Sequence, residues 1–271
     1  MLFLVLFCLV QGFSEFLPIS SQGHLLVFNN FYNVTDFSNL SILELNIISH
    51  LGSLLAVIVY YNQFVLSTIK GLKIFFRPDL NKNLSLSFKL TISTLPIIIL
   101  GYYFGKAFDY NNKFLLLIIG ISSIVFGIIL FIIDKFCLLI RNEESMNYKI
   151  ALFTGFVQCF ALIPGVSRAG ANMIALRAIG FNRNFTVKYS NLLSIPVILG
   201  AAIYLFISEN NNLFIDNTFN LTVIFVFVLS FLFSIIFIHF LISWVRRSSL
   251  LIFIIYRIIF GSFLLILYLQ L

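Results

Sequence analysis

Long apolar stretches, separated by short polar segments, follow one another along the whole chain. A helix needs about 20 apolar residues to cross a bilayer, and six stretches reach or approach that length. They are Leu45–Tyr61, Lys89–Gly105, Phe114–Ile133, Tyr189–Ile207, Asn220–Ser243 and Leu250–Leu271. The pattern predicts an all-α integral membrane protein with six transmembrane helices.

Two further apolar stretches are interrupted by polar residues before they are long enough to span. The first break is residues 11–24 and the second break is residues 164–172, and each contains glycine, proline, serine and a charged residue. Irregular backbone at membrane depth is tolerated only where it is buried in protein or lines a wet cavity. We therefore predict two re-entrant helical hairpins, at residues 1–30 and 150–188, whose breaks face each other and form one site.

The composition agrees with a membrane protein and excludes other classes. The 271 residues are 61% hydrophobic and only 10% charged, whereas a soluble domain has roughly 25% charged residues. Residues 1–271 are predicted to form a single membrane domain, because no soluble domain fits between the spans. The net charge of +7 indicates basic loops rather than a nucleic-acid partner, which would require a basic face or a recognisable motif.

The distribution of charge predicts the topology, because Lys and Arg collect in cytoplasmic loops. The basic segments are 62–88, 134–149, 177–188 and 244–249, and the segments with acidic but no basic residues are 29–44 and 208–219. When the basic segments are assigned to the cytoplasm, successive spans cross the membrane in alternating directions through all six. The same assignment gives the two hairpins opposite orientations. The chain is therefore predicted to be an inverted-topology repeat, with units 1–134 and 150–271, as in transport-type folds.

The first break places several reactive groups close together. A helix that restarts after Pro18, with Ser20 or Ser21 as its N-cap, would put a serine hydroxyl and the imidazole of His24 on one face. Its free N–H groups would form an anion site. Glu15 lies just before the proline, and an acidic residue inside a membrane segment is costly and usually functional.

The second break supplies complementary groups. Gly165 and Gly170 permit close approach of the backbone, and Ser167 can cap the next helix. Arg168 carries a permanently charged fork that matches phosphate oxygens. Two opposed helix N-termini, one arginine, one carboxylate and a Ser/His pair suit phosphoryl transfer.

Each of these residues also has a structural explanation when it is taken alone. A serine near a proline is often only a cap, and Arg168 could form a purely structural pair with Glu15. The concentration of all of them in two breaks favours function. Among the remaining polar residues, His50 is assigned to packing with a supporting role as the alternative, and Arg257 to a structural ion pair or to contact with the membrane interface.

The motifs in these breaks resemble the undecaprenyl-diphosphate phosphatase family of the bacitracin-resistance type. The matching segments are GFSEFLPISSQGH at 12–24, HLGSLLAV at 50–57, PGVSRAG at 164–170, SIP at 194–196 and YR at 256–257. The resemblance implies a bacterial inner-membrane enzyme that removes the terminal phosphate of undecaprenyl diphosphate and so recycles the lipid carrier for peptidoglycan synthesis. It also implies a divalent metal, Mg²⁺ or Ca²⁺, and a site that opens to the outer face.

The resemblance assigns roles to residues of both breaks. From the first it implies Gln11 and Glu15 as an amide and acid pair, with Glu15 on the metal, followed by Ser20, Ser21 and His24. From the second it implies Ser167 and Arg168. The chain departs from the family at two positions: Gln11 stands where many members have Glu, and Ala169 stands where a serine is usual. The number of metal ligands and one phosphate contact are therefore open.

We expect hydrolysis of a polyprenyl diphosphate. Ser21 is the expected nucleophile with His24 as general base, and attack by His24 itself or by water is the alternative. Glu15 and Arg168 complete the catalytic set, and the expected substrate-binding residues are Gln11, Ser20, Gly165, Ser167 and Gly170. A flippase for polyprenyl phosphate is the rival function. The sequence admits a homodimer as well as a monomer.

Overall fold

The computed structural model describes residues 1–31, 40–71, 73, 81–104, 112–208 and 221–270. The described residues form eleven α-helices, and the one β-bridge found among them joins Arg141 and Phe181. The helices are α1 Leu2–Phe16, α2 Ser21–Phe31, α3 Ile42–Tyr60, α4 Asn62–Gly71, α5 Lys82–Phe104, α6 Asn112–Phe136, α7 Tyr148–Gln158, α8 Arg168–Ile179, α9 Arg183–Ser208, α10 Leu221–Val245 and α11 Leu251–Gln270.

Six of these helices are long and apolar enough to cross a membrane, which confirms the predicted number. They are α3, α5, α6, α9, α10 and α11. Their ends differ from the prediction because α5 and α9 continue for one to two turns into polar sequence, to Lys82 and Arg183. The segment predicted as the loop 62–88 also contains α4. Apolar runs mark where a helix is in lipid, whereas the helix itself extends to where its backbone is capped.

Four shorter helices form two pairs around the breaks. Helices α1, α2, α7 and α8 have 15, 11, 11 and 12 residues, which is too short to span a bilayer. A proline lies in the connection of each pair, at Pro18 and at Pro164. Because proline disrupts the helical hydrogen-bond ladder, the chain stops and restarts a helix at both places.

Packing of the helices brings the two breaks together in one core cluster. Helix α1 packs on α10, α7 packs on α5, and α3 contacts both α9 and α10. One core cluster contains Leu17 and Ile19 from the first break together with Ala169 and Met173 from the start of α8. Residues about 150 positions apart in the sequence therefore share one buried environment.

A buried ionic cluster fixes the ends of several helices. Asp134, near the end of α6, accepts hydrogen bonds from Arg177 Nε at 3.0 Å and from Arg183 Nε at 2.8 Å. Arg177 also donates to the carbonyl oxygens of Cys137 and Leu138. The cluster thus provides hydrogen-bond donors for carbonyl groups just beyond the C-terminus of α6 and connects α6 to α8 and α9.

Candidate functional site

Both breaks end in the same unusual backbone conformation. Ser20 has a φ of 71° and Ser167 a φ of 69°, and each residue directly precedes the helix that restarts. Among the described non-glycine residues only these two have a positive φ. Such conformations are uncommon for residues with a side chain and concentrate at functional sites. Ser167 Oγ also accepts a hydrogen bond from Gly170 N at 3.2 Å, so the predicted cap of α8 is present.

Arg257 of α11 connects the two breaks through hydrogen bonds to their backbone carbonyl groups. Its Nη1 donates to the carbonyl oxygens of Pro18 at 3.1 Å and Val166 at 2.9 Å, and Nη2 donates to that of Gly165 at 3.0 Å. The side chain is buried, with Arg257 only 1% exposed, and these partners are carbonyls rather than carboxylates. The expectation of an ion pair or of contact with the interface was wrong. The sequence could not show which backbone carbonyls would converge on α11.

The two glycines predicted for the site serve close packing. Gly165 has a φ of 92°, and a Cβ there would overlap Ser122 Oγ and lie 2.8 Å from the backbone of Ile119. A Cβ on Gly170 would lie 2.8 Å from Arg257 Nη1. A larger side chain would collide with α6 at position 165 and with Arg257 at position 170.

Glu15 and Arg168 form the ionic contact between the breaks. Arg168 Nη2 donates to Glu15 Oε1 at 2.9 Å, and the two side chains are only 14% and 6% exposed. Gln11 Nε2 donates to the other carboxylate oxygen at 3.2 Å. Among the described residues, Arg168 Nη1 and Gln11 Oε1 are buried polar atoms with no hydrogen-bond partner. The expectation that the two breaks meet is confirmed, and a donor and an acceptor remain available there.

The predicted pairing of Ser21 with His24 is absent from the described part of the structure. Ser21 Oγ donates instead to Glu15 Oε2 at 3.0 Å. His24 Nδ1 donates to the carbonyl of Ser20 at 2.7 Å, and its Nε2 is 2.7 Å from the hydroxyl of Tyr256. The ring also stacks on Phe260, with ring centroids 4.1 Å apart, and lies nearly parallel to the ring of Tyr256. Both imidazole nitrogens are thus engaged, and the carboxylate of Glu15 is the nearest proton acceptor for Ser21.

His50 is a site residue that the sequence analysis assigned to packing. Its Nε2 lies 3.4 Å from Glu15 Oε2, and its Nδ1 donates to the carbonyl of Asn46 at 2.7 Å. The side chain is 33% exposed, and that exposed surface faces the cavity. The sequence showed only that a histidine lies near one end of a predicted span. The packing of α3 against the breaks shows that its partner is Glu15.

These groups line a cavity of about 300 Å³, a volume at the lower end of the range of ligand sites. Its lining contains a set of polar residues and a set of apolar residues, which are here called the polar end and the apolar end. The polar end is lined by Ser14, Glu15, Ser20, Ser21, Gln22, Asn46, His50, Gly165, Ser167 and Arg168. The apolar end is lined by Leu43, Ile47, Ala161, Val197, Ile198, Ala201, Ala202 and Leu205. Gln11, His24 and Gly170 are not among these described lining residues.

The oxygen donors of the site meet only part of what a divalent cation requires. Within the described residues, no cluster of three or more His, Cys, Asp or Glu side chains is placed to bind a metal ion. Glu15 supplies one carboxylate, and the unpartnered Oε1 of Gln11 is an additional oxygen close by. Mg²⁺ characteristically binds one or two carboxylates together with substrate phosphates. The residues therefore fit an ion that enters with a phosphate ligand and do not form a complete cage.

A few identical residues relate the two breaks when these are aligned on their serines with positive φ. The two serines with positive φ are 147 residues apart. At that same offset, Val10-Gln11 corresponds to Val157-Gln158, Phe13 to Phe160 and Gly23 to Gly170.

The fold and the site together define a multi-pass helical membrane protein in which the N-termini of α2 and α8 lie at one cavity. The chain belongs to the family described as bacitracin resistance protein BacA, which it matches over residues 4–263. It is 36% identical over 268 residues to the undecaprenyl-diphosphatase of Pelagibacter ubique (strain HTCC1062), covering 97% of this chain and 96% of the relative. The predicted resemblance is confirmed.

Two other relatives carry the same name. The undecaprenyl-diphosphatase of Aliivibrio salmonicida (strain LFI1238) is 34% identical over 261 residues, with 95% of this chain and 94% of the relative covered. That of Prochlorococcus marinus (strain MIT 9515) is 33% identical over 262 residues, with 95% of each chain covered. The family match over residues 4–263 includes both breaks and reaches into all six long helices.

Proposed function

We propose that this chain hydrolyses undecaprenyl diphosphate to undecaprenyl phosphate and inorganic phosphate, which recycles the lipid carrier of peptidoglycan synthesis. The observation that carries the proposal is the contact between the breaks. Arg168 uses one guanidinium nitrogen to hold Glu15, while its buried Nη1 has no hydrogen-bond partner among the described residues. A phosphate oxygen is the natural acceptor for that donor. The relatives' names agree with this chemistry.

The residues divide the chemistry between them. Arg168 and the N-terminal N–H groups of α2 and α8 stabilise the terminal phosphoryl group, which is the main contribution in phosphoryl transfer. Ser21 attacks the terminal phosphorus, its proton passes to Glu15, and the bond to the bridging oxygen breaks to release polyprenyl phosphate. Water then hydrolyses the phosphoserine. Direct attack by water deprotonated by Glu15 is the alternative. His24 positions the first break through Ser20 rather than acting as base for Ser21.

We propose that the divalent metal, Mg²⁺ or Ca²⁺, enters with the diphosphate. When bound, such an ion neutralises phosphate charge and polarises the phosphoryl group. Glu15 and Gln11 Oε1 would hold it from the protein side. Consequently the purified protein should bind Mn²⁺, used as a probe, weakly alone and more strongly with a non-hydrolysable diphosphate analogue. Equally tight binding without the analogue would contradict this part of the proposal.

The apolar end of the cavity suits the first isoprene units of the lipid. Ile47 of α3 and Val197, Ala201 and Ala202 of α9 line it, next to the polar end that would hold the diphosphate. The tail then passes between α3 and α9 into the bilayer, so that only the head group enters the polar site. This arrangement explains how a water-requiring reaction is combined with a very hydrophobic substrate.

We further propose that the short pairs α1–α2 and α7–α8 are re-entrant hairpins of two inverted repeats, 1–134 and 150–271. In such a repeat α1 corresponds to α7, α3 to α9 and α5 to α10. The helix contacts support this correspondence, because α1 packs on α10 as α7 packs on α5, and α3 packs on α10 as α9 packs on α5. The charge of the loops supports a site that opens to the outer face of the bacterial inner membrane. One chain supplies all the site residues named above, so a homodimer is not required for catalysis.

The direct test is phosphate release by purified protein from undecaprenyl diphosphate in detergent. Glu15→Gln and Arg168→Gln should each lower the rate by at least about a hundredfold, judging from single electrostatic groups in other active sites. The controls are Glu144→Gln and Arg247→Gln, which make the same changes at exposed positions. No phosphate release by the unmodified protein, or normal rates in both site variants, would refute the proposal.

Leaflet-to-leaflet transfer of polyprenyl phosphate is a second candidate, favoured by one observation. Helix α9 carries buried Thr186, Ser190 and Asn191 between its Arg183 end and the cavity. Each has a side-chain oxygen without a hydrogen-bond partner among the described residues. A polar stripe of this kind could solvate a head group on its way to the cytoplasm. Transfer of labelled undecaprenyl phosphate across protein-containing vesicles, without phosphate release, would favour this function over hydrolysis.

A further inference from the structure

His24 is fixed by a hydrogen bond at each ring nitrogen. Its Nδ1 is 2.7 Å from the carbonyl oxygen of Ser20, and its Nε2 is 2.7 Å from the hydroxyl oxygen of Tyr256. A carbonyl oxygen only accepts hydrogen bonds, so Nδ1 carries a proton. In a neutral imidazole Nε2 is then an acceptor, and the Tyr256 hydroxyl donates to it.

The surroundings of the ring favour the neutral form. His24 is only 8% exposed, its ring stacks on Phe260, and Phe13 lies edge-on to it. The ion pairs formed by the described residues do not include His24, and a buried charge without a partner is costly. The hydrogen bonds therefore run in one direction, from the Tyr256 hydroxyl to Nε2 of His24 and from Nδ1–H to the Ser20 carbonyl.

This chain of hydrogen bonds ends on a residue with an unfavourable backbone conformation. Ser20 has a φ of 71° and directly precedes α2, and such a conformation persists only where the surroundings hold it. The Ser20 carbonyl belongs to the peptide group that leads to Ser21, the proposed nucleophile. Its orientation therefore sets the position of Ser21 Oγ, which donates to Glu15 Oε2 at 3.0 Å.

The second break has no counterpart of this support within the described structure. At the offset that aligns the two serines with positive φ, His24 corresponds to Ala171, whose methyl group cannot form such a hydrogen bond. Arg257 does not account for the difference, because it donates to carbonyl groups of both breaks. The pair of Tyr256 and His24 is therefore specific to the break that carries Ser21.

We propose that Tyr256 is a positioning residue for the hydrolysis of the diphosphate. It holds His24 in the neutral Nδ1–H form, His24 holds the Ser20 carbonyl, and Ser21 is thereby kept in line with the terminal phosphorus. The inference rests on the proposed function and adds a residue to it. Tyr256 is not among the described residues that line the cavity. Its loss should therefore lower kcat and leave KM nearly unchanged.

Tyr256→Phe tests this role, because it removes only the hydroxyl and keeps the aromatic ring. In phosphate-release assays kcat should fall at least about tenfold while KM stays within about twofold, since a slightly displaced reacting group slows the chemical step without weakening binding. Tyr60→Phe is the matched control, because it removes a hydroxyl that lies 3.2 Å from Nδ1 of another histidine, His239. Unchanged kcat in Tyr256→Phe, or an equal loss in Tyr60→Phe, would overturn the inference.

Nuclear magnetic resonance measures the state of His24 independently of turnover. The chain has three histidines, so labelling with ¹⁵N-histidine gives few imidazole signals, and those of His24 are the ones lost in His24→Gln. In the unmodified protein Nδ1 should be protonated, and Nε2 should be unprotonated and hydrogen-bonded. Tyr256→Phe should shift Nε2 toward the value of an imidazole nitrogen without a donor. A protonated Nε2 in the unmodified protein would overturn the inference, whether or not Tyr256→Phe folds.

The outcomes also separate this inference from the proposed function. Phosphate release by the unmodified protein together with normal kcat in Tyr256→Phe would leave the phosphatase assignment intact and remove only the role of Tyr256. Absence of phosphate release by the unmodified protein would remove the assignment itself, and with it the role of Tyr256 in catalysis. Slow turnover in Tyr256→Phe with an unchanged Nε2 signal would also overturn the inference, because the effect would then not pass through His24.

Discussion

At the scale of single residues, the site depends on buried charges that have been given several partners. Glu15 accepts hydrogen bonds from Gln11, Ser21 and Arg168 and lies within ion-pair distance of His50. Such a carboxylate is stable at membrane depth because its charge is compensated on both oxygens. In the proposed mechanism, the same partners hold it ready to receive a proton from Ser21. Structural stability and chemistry therefore use the same contacts.

Arg257→Lys is the first prediction at this scale. Lysine retains the charge, but its single ammonium cannot reproduce the planar fork that bonds the carbonyls of Pro18, Gly165 and Val166. At least one buried carbonyl then loses its partner, and we expect a loss of about 1–3 kcal/mol in stability. A thiol-reactive dye that follows exposure of buried Cys8 should report earlier thermal unfolding. Unfolding and phosphate release that match the unmodified protein would contradict the proposed link between the breaks.

Ser21→Ala tests the nucleophile. If Ser21 attacks phosphorus, the variant should lose phosphate release by at least about a hundredfold, and no acid-quenched phosphoserine should be recovered from it. If water attacks, much of the rate should remain while Glu15→Gln is still inactive. Recovery of phosphohistidine from the unmodified protein would contradict both routes, since His24 is engaged by Ser20 and Tyr256.

At the scale of elements, helix α9 has two different parts. Its C-terminal part presents small and apolar residues to the cavity, and its N-terminal part carries buried polar residues. Helix α8 begins at the site with Arg168 and ends at the ionic cluster with Arg177. These helices therefore connect the cavity to the ionic cluster. Substitutions at their cavity end should affect substrate binding, and substitutions at the cluster end should affect stability.

Ala202→Phe is the prediction for the tail path. A bulky ring between α3 and α9 should obstruct the isoprene units, and we expect kcat/KM for undecaprenyl diphosphate to fall at least tenfold, on the order of 1.4 kcal/mol. Pyrophosphate affinity should stay within twofold, since the polar end is unchanged. The outward-facing Ile203→Phe on the same helix is the control. Equal losses in both variants would show that α9 is merely sensitive to added volume.

Asp134→Asn is the prediction for the ionic cluster. It would leave the fully buried Arg177 without its carboxylate partner, and breaking a buried pair from one side typically costs about 3–5 kcal/mol. We expect a clear loss of stability in chemical unfolding, and normal pyrophosphate affinity in the fraction that folds. Glu144→Gln, which removes an exposed ion pair with Lys82, should change stability little. Similar effects of the two changes would contradict the structural role.

At the scale of the whole molecule, the proposed topology makes a prediction about sidedness. Gln22 is exposed and lines the cavity, whereas Glu144 is exposed in a segment assigned to the cytoplasm. In a protein whose three cysteines are replaced, Gln22→Cys should react with a membrane-impermeant maleimide added outside intact cells. Glu144→Cys should react only after the membrane is opened. The reverse pattern would place the site on the cytoplasmic face.

Much of the architecture could be predicted from the sequence. Six apolar runs indicated six long helices, since lipid requires apolar side chains over a length set by the bilayer. The two breaks also identified Glu15, Ser21 and Arg168, because polar groups are costly at that depth. Helix ends were less accurate: α5 and α9 begin one to two turns before their apolar runs, where capping and contacts replace hydrophobicity as the deciding factor.

What the sequence determined by itself was membrane residence, the number of long helices and the two places where reactive groups collect, because each follows from local hydrophobicity, proline and charge. Only the tertiary structure decided which of these groups are partners. In the structure Ser21 is hydrogen-bonded to Glu15 and not to His24. Arg168 and His50 contact different carboxylate oxygens of Glu15. Arg257 donates hydrogen bonds to carbonyl groups of both breaks. Those pairings depend on helix packing between distant segments, which local sequence does not specify.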